Sequence, residues 1–293
     1  MTNSFKDDNQ QIIQKIIFLI NSESYGNWYK AVAIIQKYLP ENITNFDDLD
    51  SYFDLPKNGI FFNDFLYDLD ELLQNNGVDD LNLLVKRAKI SRWVYKRFTK
   101  ETELNIGNFR NFEADSLWEL GKIDEAEERF QELIKTFPEF TYGYIHYGDC
   151  YLMSNWSYQY GPNYERAEIV YRMAIEKPNL YDIEVVKDRL KDLLKEKDNP
   201  EIREKRKVFR LKLIQERKEA IILDDLDHEV LIPDNDLNTI ISEPIPLSAP
   251  IAMKKDSLPT HHDIPSSKSQ KNQRKAKQKK RKQASASKKK NRR

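Results

Sequence analysis

The sequence predicts an all-α fold, an α-solenoid of antiparallel helix pairs, and three observations carry that prediction. Residues of matched size recur at one spacing: Ala114 and Gly148 are 34 residues apart, as are Leu117 and Tyr151. Apolar residues elsewhere fall three and four apart, which puts them on one face of a helix. Helix breakers are scarce, with Gly and Pro together numbering 20 of 293 residues.

Residues 1–100 form an N-terminal helical region. Ile12, Ile13, Ile16, Ile17 and Ile20 make one stripe of a first helix, Gln10 to Ile20. A second helix runs from Tyr25 to Leu39 and stops before Pro40, because proline disfavours helix at the preceding residue. A short helix is expected at Phe46–Phe53. The acids around it (Asp47, Asp48, Asp50, Asp54) do not fit a calcium loop, since the glycine and twelfth-position Glu such a loop needs are replaced by Tyr52 and Asn58. Asn58 to Asn75 is apolar at Phe61, Phe62, Phe65, Leu66, Leu69, Leu72 and Leu73, and Asn75-Asn76-Gly77 is a stop. Asp79 is a cap for a helix from Asp80 to Phe98, whose surface carries Lys86, Arg87, Lys89, Arg92, Lys96 and Arg97. These cations either hold an acidic ligand or meet carboxylates of the next helix.

Residues 101–197 hold the repeats. Thr102 is positioned to cap a helix reaching Leu120, with Glu103 in its first turn; Gly107 weakens that start, and a start at Asn108 is the alternative. Gly121 ends it. Asp124 to Phe137, capped by Asp124, then Thr141 to Met153 and Tyr164 to Glu176 follow, and Leu180 to Lys197 covers the last pair, as a terminal repeat requires. Ala126 and Ala167 are 41 apart, so seven extra residues enlarge the loop Ser154–Asn163, which contains Trp156, Tyr158 and Tyr160. Aromatic side chains with polar tips either favour partner contacts or fold back as a local mini-core.

Residues 198–223 read as a charged helix. Residues 224–293 read as a disordered linker and polybasic tail, with short docking segments conceivable at Val230–Pro233 or Ile240–Pro246. Formal net charge is zero, but residues 251–293 contain 16 Lys/Arg and 2 Asp/Glu. That leaves 32 basic and 46 acidic residues in 1–250, a net of −14. Residues 268–293 carry 14 cations and no acid. Arg274, Lys275, Lys277, Lys279, Lys280, Arg281, Lys282, Lys288, Lys289 and Lys290 are candidates for binding RNA, the ribosome or DNA through phosphates, without base stacking because no aromatic is interleaved.

The single cysteine, Cys150, excludes an intramolecular disulfide. With a polar N-terminus and no apolar run near the ~20 residues of a membrane span, a cytoplasmic location is expected and no membrane contact. No phosphate-binding glycine loop, nucleophile elbow or zinc spacing is present. His146, Asp149 and Cys150 share a helical face. They are the one cluster that suggests an enzyme or metal site, although a free Cys between packing positions ordinarily behaves as a small hydrophobe. No catalytic residue, metal, cofactor or small-molecule substrate is expected.

The residues Leu120-Gly121, Glu125-Ala126, Phe130, Leu133, Phe137-Pro138, Tyr142-Gly143-Tyr144-Ile145, Tyr147-Gly148-Asp149 and Tyr151 resemble the tetratricopeptide repeat, a 34-residue helix–turn–helix unit. The combination is similar to uncharacterised bacterial proteins of that class. Some of those end in a cysteine-rich zinc motif like the one closing the SecA translocation ATPase, and this chain lacks those cysteines. The resemblance implies a non-enzymatic adaptor binding a protein partner in a groove. It places the groove positions at Asn108, Asn111, Asp115 and Trp118 in the first unit and at Tyr142, Ile145 and Asp149 in the second. Paired basic residues that would clamp a carboxylate are missing there, so an acidic C-terminal peptide is not the expected ligand. An alternative is a module autoinhibited by its own tail docking on the acidic body.

Overall fold

The computed structural model describes residues 2–22, 24–77, 79–153, 162–205, 208 and 231–243, all within one compact unit, Met1–Ile251. These residues are helical and turn structure with no strand among them. None of their helices is long and apolar enough to cross a membrane.

Helix α1 spans Thr2–Ile20 and buries Ile12, Ile16, Leu19 and Ile20. It starts eight residues earlier than its apolar stripe suggests. Trp28 Nε1 closes its end by donating to the Ile20 carbonyl (2.6 Å). Helix α2, Tyr25–Tyr38, buries the run Ala31 to Ile35. Helix α3, Phe46–Tyr52, is capped by Asn45, which accepts from the Asp48 amide (2.8 Å). Helix α4 spans Phe62–Gly77, not Asn58 onward. Gly59 at φ 68° breaks the path, and the buried Asp50 carboxylate accepts the Phe62 amide (2.9 Å) to cap the true start. Helix α5 spans Leu81–Arg97, and Asp80 rather than Asp79 caps it.

Helix α6 runs Glu103–Glu119 with Thr102 as cap, so Gly107 lies inside it instead of delaying it. The Phe140 ring occupies the space a Cβ at Gly107 would need, 3.2 Å away. Gly121 (φ 81°) closes the helix, its amide bonding Trp118 O and the Lys122 amide bonding Leu117 O, the double bond of a Schellman turn. Helix α7 is Ile123–Thr136. Lys122, not Asp124, holds its cap position, and Asp124 and Glu125 sit in the first turn where carboxylates favour the dipole. Helix α8 is Thr141–Met153, α9 is Tyr164–Ile175 and α10 is Ile183–Lys197. The aromatic insert residues Trp156, Tyr158 and Tyr160 lie outside the described residues. So do the whole polybasic tail and most of the charged segment 198–223.

Each helix from α4 to α10 touches the next. The alternate helices α6, α8 and α10 also touch in sequence, α6 with α8 and α8 with α10. Two apolar clusters result. One joins α1–α5 through residues such as Ile34, Phe46, Phe62 and Phe98. The other joins α5–α10 through Trp118, Phe130, Tyr144 and Tyr171. Helices α5 and α6 feed both: Ile90 and Phe109 face the first, and Ala88 and Leu117 the second.

One expectation is corrected. Residues 231–243, assigned above to a disordered linker with docking segments at Val230–Pro233 or Ile240–Pro246, form a helix, α11 (Asp234–Ser242), that touches α2. Leu231, Leu237 and Ile240 join the first apolar cluster. The apolar residues of this stretch fit one face of a short helix, and α1 and α2 supply the surface that an acidic composition alone gives no reason to expect.

Candidate functional site

The cations of α5 find partners inside the protein. Arg87, almost wholly enclosed, grips the Asp70 carboxylate of α4 with two bonds, Nε to Oδ1 at 2.8 Å and Nη2 to Oδ2 at 3.0 Å. Its remaining nitrogen donates to Ser116 Oγ (3.2 Å) and the Phe112 carbonyl (3.3 Å) of α6. Burial alone would lower the guanidinium pKa, but the Asp70 carboxylate outweighs it and raises it. Arg92 donates to Glu113 of α6 (2.6 Å), which also accepts from Tyr95 (2.7 Å). Glu113 is fully buried. Lys86 lies over the Tyr29 ring, 5.2 Å from its centre. Of the two readings of this basic helix, pairing with a carboxylate of the next helix accounts for Arg92, whereas Arg87 pairs back with Asp70 of the preceding helix.

A second polar chain crosses α6, α8 and α10. His146 Nδ1 lies 2.7 Å from Asp115 Oδ2, and Cys150 Sγ lies 3.6 Å from Asp115 Oδ1. One turn along α8, Asp149 accepts from the Tyr171 hydroxyl of α9 and meets Arg189 of α10 at 3.3 Å. The chain therefore reads Asp115, His146, Asp149, Arg189, each carboxylate followed by a basic group. Burial opposes charge on His146, but its side chain keeps 35% exposure. The Asp115 carboxylate prevails and holds its pKa above the ordinary value. Burial, followed by the Asp115 charge, pushes the Cys150 thiol well above its ordinary value. A thiol so placed stays protonated, the opposite of an activated nucleophile. No group of three or more His, Cys, Asp or Glu arranged to hold a metal occurs among the described residues.

The sequence-derived groove positions divide. Asn108 is half-buried and donates to the Tyr67 hydroxyl (2.7 Å). Tyr142 and Asp149, on α8, are half-buried as well. Asn111, Asp115, Trp118 and Ile145 are buried, and their assignment to an open groove wall is corrected. Helix α6 is in contact with α5, α7 and α8, which leaves little of its circumference to water. Trp118 packs edge-on against Tyr151, ring centres 4.8 Å apart. Asn111 Oδ1 and Trp118 Nε1 are enclosed without a hydrogen-bond partner.

Sequence reasoning found Asp115 and His146 separately but not their pairing, which spans 31 residues. It missed Asp70 and Arg189 as partners; nothing local marks a carboxylate 17 residues from its arginine. A shallow cavity of about 430 Å³ also lies between α9 and α10, with Ile175, Leu190 and Leu194 under Lys187, Lys191 and Lys195.

Compared with known proteins, the chain matches no family model, no curated protein and no solved structure.

Proposed function

We propose that this chain is a non-enzymatic interaction module resembling the tetratricopeptide class. In this reading a protein partner lies against the polar face of α6, α8 and α10, and the polybasic tail contacts RNA, the ribosome or another polyanion. The observation that carries it is the contact order. Pairs succeed pairs, and the first helices α6 and α8 and the covering helix α10 touch one another in a row, as they do where a stack of helical pairs offers one continuous face. That face presents Asn108, Tyr142, His146 and Asp149 at partial exposure, a polar and aromatic set suited to an extended peptide's amides and side chains. The burial of Cys150 beside the Asp115 carboxylate, which pushes its thiol pKa up, weighs against the competing reading of a thiol enzyme.

The test is a pull-down from cell extract of three chains: wild type, a face variant (Tyr142→Ala with Asn108→Ala) and a chain lacking residues 268–293. Each is run at low and high salt, with and without nuclease. The face variant should lose a salt-resistant protein partner and keep nucleic acid. The truncated chain should do the reverse. Identical capture by all three would refute the reading. The charge split, −14 against a tail with 14 cations, favours one second reading, a tail that occupies its own acidic body. In that case truncation increases partner capture.

A further inference from the structure

Helix α11 has no place in the stack of pairs, and its surroundings on α1 and α2 form a built seat. Leu231, Leu237 and Ile240 point into the apolar cluster and are buried. At the entry, the Tyr29 hydroxyl donates to the Leu231 carbonyl (2.8 Å), and the Leu231 amide donates to Gln36 Oε1 (3.1 Å). Lys37 meets the acidic first turn, 3.0 Å from Asp234 and 3.0 Å from Asn238. Lys15 donates to the Glu243 carbonyl beyond the last turn (2.9 Å), where the negative end of the helix dipole favours a cation. Lys15 is only 3% exposed, so its ammonium is committed to this seat. The seat selects apolar residues at the spacing of 231, 237 and 240. It also selects an acid at the start of the helix and the direction in which the helix lies.

The occupant is weakly held by its own merits. A helix of nine residues does not persist in water alone, so its form depends on the seat, as in coupled folding and binding. Three apolar side chains are buried and two more, Ile232 and Ile241, pack half-buried against the same cluster, a small apolar contact for the thirteen residues brought to order. Tethering supplies the rest, because a segment on the same chain is present at high effective concentration.

We propose that the α1–α2 surface is an exchangeable docking site for a short acidic amphipathic helix of a partner protein, occupied in cis by residues 231–243. The site is separate from the α6–α8–α10 face, and its exchange would also release the anchor from which residues 244–293, including the polybasic tail, continue.

The experiment uses the full chain and a fluorescein-labelled peptide of residues 229–245, read by fluorescence anisotropy. The variant Leu237→Asp with Ile240→Asp should bind the peptide about tenfold or more tighter than wild type, because the tethered competitor is gone. The milder Asp234→Lys changes an exposed residue that cannot unfold the body, and should shift binding in the same direction by a smaller factor. Adding Lys37→Glu to the open variant should weaken its peptide binding severalfold. Equal binding by wild type, the open variant and the Asp234→Lys chain would overturn the proposal, as would no binding by any of them. A concentration-dependent dimer of wild type that disperses in Leu237→Asp would show a second copy as the natural occupant and overturn the partner assignment.

Discussion

The Tyr171 ring stands where a side chain at residue 148 would begin: a Cβ on Gly148 would lie 2.2 Å from Tyr171 Cε1 and 2.6 Å from Cζ. Tyr171 is itself fully buried, and its hydroxyl is held by Asp149, so the ring cannot swing away. Helices α8 and α9 approach as closely as they do because residue 148 has no side chain. Gly148→Ala is expected to destabilise the protein by about 1–3 kcal/mol, the usual cost of overpacking. Urea unfolding should show it as a lower midpoint. Combined with Tyr171→Ala, the loss should be smaller than the sum of the two single losses, since both changes act on one contact.

Asp70 and Arg87 form the most enclosed ion pair described, the arginine side chain 2% exposed and the aspartate 9%. Removing one partner strands a buried charge. Arg87→Met alone should cost about 3–5 kcal/mol in urea unfolding. Asp70→Leu together with Arg87→Met should restore much of that loss, because two apolar groups need no counter-charge. A double variant no better than the single would show that the hydrogen bonds from Arg87 to α6 matter more than charge balance.

Asp50 caps α4 at a price in desolvation. Burial raises its pKa to about 6, against which the Phe62 amide bond works in the opposite direction. Its pKa in the unfolded chain is about 3.9, so the folded protein binds the proton more tightly. The resulting stability is full below about pH 4 and is lost as pH rises through 6. Asp50→Asn keeps a carbonyl oxygen for the Phe62 amide and carries no charge. Its thermal midpoint should match or exceed that of wild type at pH 7, with this part of the pH dependence removed. A lower midpoint at pH 7 would contradict the argument.

His146 titrates in the same sense for a different reason. Against the effect of burial, Asp115 holds its pKa above the usual histidine range. The stability it adds is present below about pH 6.5 and lost as pH rises through the elevated value. Melting midpoints followed upward from about pH 6 should therefore fall in wild type and level out in His146→Gln. An unchanged slope in the variant would mean that the imidazole stays neutral beside Asp115.

The proposed contact of the tail with polyanions predicts a salt dependence. If it engages phosphates, the logarithm of RNA affinity should fall linearly with the logarithm of salt concentration. Replacing Lys279, Lys280, Arg281 and Lys282 by Ala should lower the slope by about 3. An unchanged slope would place the contacts elsewhere on the chain.

The spacing of Ala114, Gly148, Ala126 and Ala167 was legible because a packing position between adjacent helices admits only a small residue, and that limit is written locally. Caps were legible where one residue does the work, as at Thr102, and were misplaced by one or two residues where neighbours compete, as at Asp79 and Asp80. The groove was less legible. Asn111 and Trp118 have the periodicity of a presented face, yet α5, α7 and α8 cover them.

Amino-acid order alone determined that this chain is helical, where its pairs turn, and that its charge is divided between body and tail. Period, proline, glycine and composition act over one or two turns and need no knowledge of the rest. Tertiary structure decided which charges meet and which segment is bound. Asp70 finds Arg87, Asp115 finds His146, and residues 231–243 find α1 and α2 only once distant helices have packed, because ion pairing and apolar burial act on proximity in space rather than in sequence.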